Sequence, residues 1–143
     1  MGKLSQQQGK KAQRLVMEKF GNLGFWAHEI VPNRAGQQPF DIFAVSSFSL
    51  WMVDVKHVGS GGVFSLSNIE DNQWLAMERV YETRPLQSNV NDNEVVVFLG
   101  FIIVMGDEND ESFWFLSYSS ARYYFDKGNP SVKILDMRRI FNG

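Results

Sequence analysis

The sequence predicts an α/β fold in which one mixed β-sheet is flanked by α-helices. Three observations carry this expectation. Segments of helical and strand periodicity follow in the order α-β-β-β-α-β-β-α. The run EVVVFLGFIIVM is too apolar for a strand with a wet face, so it belongs at the centre of a sheet covered on both sides. The stretch DIFAVSSFSLWMVDVK reads as two apolar strands around a short Ser-rich turn.

Residues 5–22 are expected to be helical, because Ala12, Leu15, Val16, Phe20 and Leu23 recur at helical spacing and Gly21 and Gly24 stop the run. A strand FWAHEIV and a polar, turn-rich loop PNRAGQQP follow. The apolar hairpin extends from Phe40 to about His57, and GSGG makes a flexible break. SNIEDNQWLAMERVYE reads as a second helix, with Ser67 and Glu70 at capping-box spacing. Residues 83–93 form a polar loop before the central strand. ESFWFLSY should pair beside that strand across the acidic turn GDEND, and a short helix near SSARYYFDK and a tail from Pro130 complete the pattern. At 143 residues a single domain, 1–143, is expected.

Composition narrows the chemistry. Cysteine is absent, which excludes a thiolate zinc site, an iron–sulfur cluster and a disulfide framework. His28 and His57 are too few for a multi-histidine metal site. No run of about eighteen apolar residues and no signal peptide is present, so a cytoplasmic protein of cellular, phage or viral origin is expected. Charge is unevenly spread. Residues 1–60 hold seven Lys or Arg against four Asp or Glu, whereas residues 61–143 hold seven against twelve. Lys3, Lys10, Lys11, Arg14 and Arg34 are therefore either an anion-docking region or a solvated face.

The hairpin concentrates ionisable groups at one end. With its turn centred between Ser47 and Phe48, Asp41 faces Asp54 across the strand pair, with Cβ atoms roughly 5 Å apart. Lys56 projects from the same face as Asp54, and Phe43, Val45, Leu50 and Met52 continue that face as core. Ile42, Ala44, Trp51, Val53 and Val55 make the opposite face apolar as well. Facing carboxylates repel, and a divalent cation between them removes the penalty. Mg²⁺ (or Mn²⁺) suits such a pair, because it takes oxygen ligands and keeps several waters. Lys56 beside it could orient or deprotonate an attacking water, or stabilise charge developing on a phosphate. That is the chemistry of phosphodiester hydrolysis. A plain salt bridge between Lys56 and one Asp at a sheet end is the other reading of these residues.

The chain resembles the PD-(D/E)xK nucleases, in which an Asp on one strand precedes a (D/E)xK on the next. PFD ending at Asp41 and DVK from Asp54 to Lys56 fit, with Pro39 one residue earlier than the family name implies. Within that superfamily it is most similar to Holliday junction resolvases of the archaeal and RecU types. GKKAQRLVMEKFGNLGF, VPNR, FDIFAV, VDVKHV and SLSNIEDNQWLAM follow in the order of those proteins, over roughly residues 9–80. Gln13 stands where the family has its helix-one Glu, and Asp54 where most resolvases have Glu. Glu18 points away from the apolar stripe, so Glu29 on the next strand is the other candidate for the missing carboxylate.

The resemblance implies a restriction-endonuclease-like mixed central sheet and a Mg²⁺-dependent endonuclease of DNA recombination and repair acting on branched DNA. It implies Asp41, Asp54, Lys56, Gln73 and Gln13 as catalytic residues and Asp41, Asp54 and Val55 as metal ligands. Phosphate contacts are expected from Lys10, Lys11, Arg14, Asn33 and Arg34. Gln73 shares a helical face with Ile69, Ala76, Met77 and Val80, so a core glutamine bonded to backbone is equally open. A four-way junction has near-twofold symmetry, and paired incisions would need a homodimer. A general or restriction-type nuclease, and a non-catalytic DNA-binding protein on the same fold, are the alternatives.

Overall fold

The long apolar run becomes the centre of a sheet, as its composition requires. In the computed structural model, which describes residues 2–30, 40–59, 61–87, 95–107 and 109–141, β5 (Val96–Met105) lies between β3 (Ser49–Val58) and β6 (Ser112–Ser117). The six strands run in the order β1-β2-β3-β5-β6-β8, with β1 at Trp26–Glu29, β2 at Ile42–Val45 and β8 at Arg138–Ile140. The β3–β5 pairing is parallel and the other pairings are antiparallel, so the sheet is mixed. A parallel pair needs a crossover. Here it passes through β4 (Val63–Ser65) and α2 (Asp71–Gln87), and β4 pairs with β7 (Ser131–Lys133) in a separate two-stranded sheet.

Each face of the central sheet is covered. The helix α1 (Gly2–Asn22) presents Ala12, Val16 and Phe20 to Ile42, Ala44, Val53 and Ile102, all fully buried or nearly so. Phe20 also meets the rings of Phe25, Trp51 and Phe141 edge-on. On the other face, Met52, Phe101 and Ile103 pack with Ile69, Trp74 and Met77 around α2, and with Tyr118 and Ala121 of α3 (Tyr118–Asp126). The alternation of strand side chains thus divides the hairpin residues between two cores.

Several expectations change. Three short strands, β4, β7 and β8, occupy a segment after the Gly-rich break and the tail from Pro130, where period-2 patterning over three residues carries little signal. Val45 is 37% exposed rather than core, because its partner across the pair is Trp26 of the edge strand, itself 66% exposed. The second helix starts at Asp71, not Ser67. A 3-10 turn over Leu66–Asn68 comes first, closed by Ile69 N–H to Leu66 O, and the Ser67 hydroxyl bonds that of Ser65 at 2.8 Å. The same helix continues through Pro85 to Gln87, into the segment expected as loop.

Gly100 is required where β6 bends into α3. A Cβ there would strike Leu116 O and lie 2.8 Å from Tyr118 N, on a backbone with φ of 156°. Gly100→Ala should therefore lower stability by about 3 kcal/mol, the upper part of the range for forced overpacking, read as a fall in the urea midpoint. An unchanged midpoint would mean that β5 and β6 are not this close.

Candidate active site

The hairpin register brings the charged residues together. Ile42 pairs with Val53 and Phe43 with Met52, so Asp41 falls beside Asp54, as the turn position predicts. Regular pairing of β2 ends there, and Asp41 replaces the missing ladder with its own groups. Its N–H donates to Val53 O at 3.0 Å, its carbonyl accepts from Ile30 N–H at 2.9 Å, and its Oδ2 accepts from Val55 N–H at 2.8 Å. In an extended strand the N–H and C=O of one residue point to the same edge. The Val55 carbonyl thus faces the edge held by Asp41, past the end of β2.

Asp54 is 1% exposed, on the face that α2 covers. Burial pushes its carboxyl well above the usual carboxylate range; the adjacent Asp41 carboxylate and a hydrogen bond with it add to the rise, and Lys56 opposes it. Lys56 Nζ stands 3.3 Å from Asp54 Oδ2, yet that oxygen is buried without an aligned hydrogen bond. The ammonium also donates to Gln73 Oε1 at 3.1 Å, and the same oxygen accepts from Glu70 N–H at 3.0 Å.

The structure therefore gathers Asp41, Asp54, Lys56 and Gln73. An unpaired oxygen on a buried carboxylate beside a second carboxylate calls for a proton or a cation. The donors fit an oxygen-seeking divalent ion, with the Val55 carbonyl as a third group on the same edge. Among the described residues no group of three or more His, Asp or Glu assembles.

Other expected residues lie elsewhere. Gln13 is half-buried on α1, which packs on the opposite face of the sheet, and makes no hydrogen bond to the cluster among the described residues. Glu29 pairs with Ile42, so it faces the α1 side and is solvent-exposed. Lys10, Lys11 and Arg14 are exposed along α1. Lys11 also lines a cavity of about 190 Å³ with His57, Asp107 and Glu111. Asn33, Arg34 and Pro39 lie outside the described residues. What sequence reading missed is that Gln73 closes the start of α2: Glu70 and Gln73 carry the spacing of the reciprocal half of a capping box, three residues later than expected.

No helix among the described residues is long and apolar enough to cross a membrane. No family model matches the chain, and no curated protein matches it in sequence. The six-stranded mixed sheet flanked by helices is a restriction-endonuclease-like fold. A solved structure shares it: the Holliday junction resolvase Hjc of the archaeal hyperthermophile Archaeoglobus fulgidus matches with a TM-score of 0.50 and 14% identity, over 78% of this chain and 78% of that one. At this identity the likeness is one of fold.

Proposed function

We propose that the chain is a divalent-cation-dependent DNA endonuclease that resolves branched DNA, with four-way junctions as its main substrate. The observation that carries this reading is the buried Asp54 Oδ2, lacking a hydrogen bond between the Asp41 carboxylate and the Lys56 ammonium. Asp41, Asp54 and the Val55 carbonyl would hold Mg²⁺ (or Mn²⁺). When bound, the ion supplies charge neutralisation on the phosphoryl oxygen and lowers the pKa of water that serves as nucleophile. Lys56 donates to the charge that develops on the scissile phosphate, from a position fixed between Asp54 and Gln73. Lys10, Lys11, Arg14, Asn33 and Arg34 contribute phosphate contacts that position the duplex.

A non-catalytic DNA-binding protein on this fold is the second reading. Gln13, standing where the resolvases have a helix-one Glu, favours it. Incubation with labelled linear, flap and four-way DNA, with Mg²⁺ or with chelator, separates the readings. Selective cutting of the four-way substrate, in Mg²⁺ only, is expected. Paired incisions require two sites in one particle, so a protein of 16.4 kDa should sediment as a homodimer. A strict monomer that cuts all three substrates alike would indicate a general nuclease. Binding without cutting would leave the non-catalytic reading.

A further inference from the structure

We infer that Trp26, backed by His28, is a stacking platform for a nucleobase exposed at the branch point of the DNA, and that it sets the preference for branched over linear substrates. This deepens the nuclease reading and rests on it. Trp26 and His28 are two residues apart on β1, the strand at the edge of the sheet, so their side chains leave the same face. Ile30 continues that row and packs in the core on the α2 side, whereas Ala27 packs on the α1 side. The register carries the row to the carboxylates. Trp26 lies opposite Val45 and His28 opposite Phe43, and Ile30 N–H donates to Asp41 O at 2.9 Å. The aromatic pair thus shares a sheet face with Asp41 and Asp54, and Trp26 stands about 14 Å along the strand from the level of Asp41.

The pair has the form of a π surface rather than of a core contact. The two rings are nearly parallel, with 14° between their planes and centroids 5.5 Å apart. Trp26 is 66% exposed, whereas Trp51 and Trp74 are each 8% exposed, so the core makes little use of this indole. Base–aromatic stacking suits such a ring, because every base has a π face. In a continuous duplex each base is already stacked on both sides. At a branch the arms diverge, and a base there loses one neighbour, whose place the indole can take. The span of about 14 Å equals roughly four base steps of 3.4 Å, so a base on Trp26 leads its strand along the row towards Asp41. One indole with the rim of Val45 offers far less than the roughly 800 Å² per partner of a stable protein interface, but a single base needs no more than one ring.

The test is binding in chelator, so that no strand is cut, to a four-way junction and to a linear duplex of the same arm sequence. Trp26→Leu, which keeps an apolar side chain without a π face, should weaken junction binding by about tenfold, roughly 1.4 kcal/mol, the scale of one base–aromatic stack. Its affinity for the linear duplex should change by less than about twofold. Trp26→Phe should recover most of the junction affinity. Junction binding should also quench the tryptophan emission of wild type, and Trp26→Phe should lose that quench, since Trp51 and Trp74 are buried. An equal loss on junction and duplex, or no loss on either, would overturn the inference. A dimer that dissociates on Trp26→Leu would also overturn it, by making the indole a contact between two copies of the chain. A wild type that binds neither DNA, in chelator or in Mg²⁺, would overturn the nuclease reading together with it.

Discussion

Asp54→Asn should stabilise the metal-free protein near neutral pH while removing DNA cleavage. In the folded state burial and the Asp41 carboxylate raise the proton affinity of Asp54 above its ordinary value of 3.8. A group whose folded pKa is raised contributes its full stability below the unfolded pKa, and that contribution is lost as pH rises through the folded pKa. Chelated wild type should therefore lose stability as pH is raised above about 3.8, until Asp54 has fully ionised. The asparagine side chain keeps the shape and has no charge to bury, so this component of the pH dependence should vanish. Cleavage should fall by about 10³-fold or more, since several kcal/mol of charge stabilisation depend on the ion the carboxylate holds. Urea unfolding in chelator at a series of pH values, beside a cleavage assay, checks both halves. A variant less stable than wild type at every pH would contradict the strained-carboxylate account.

Lys56→Ala should separate chemistry from binding. Its ammonium lies within reach of both Asp54 and Gln73, so its removal takes away one positioned electrostatic donor. The single-turnover cleavage rate should fall by about a hundredfold or more. Affinity for branched DNA should change far less, because many phosphate contacts share that energy. Lys10→Ala with Lys11→Ala should give the opposite pattern: weaker binding, a shallower dependence on salt and a nearly intact chemical step. If Lys56→Ala and wild type bind alike and neither cuts DNA with Mg²⁺ or Mn²⁺, the protein is a binding module.

The hairpin was legible because a period of two permits only two faces, and a turn at Ser47–Phe48 then fixes the register. That register placed Asp41 beside Asp54 and Lys56 on the same face as Asp54. Helical spacing likewise put Gln73 on the buried side of α2, where it meets Lys56. The start of α2 was not legible, because Ser67 offers a capping hydroxyl that the preceding 3-10 turn diverts to Ser65. Gln13 shows a different limit. Helical periodicity gives its angle to the apolar stripe, but only the packing of α1 shows which face of the sheet that stripe covers. Strands β7 and β8 are three residues each, and their pairing depends on distant partners in β4 and β6 rather than on local pattern.

A Mg²⁺ titration of thermal stability, run side by side on wild type and Asp54→Asn, asks whether the carboxylate pair is a cation site. A ligand bound only by the folded state adds about 2.7 kcal/mol at a hundredfold excess over its dissociation constant. Wild type should therefore gain melting temperature steadily with Mg²⁺, and Asp54→Asn should show no gain over the same range. Equal responses in the two proteins, or none in wild type, would show that Asp41 and Asp54 do not hold the ion.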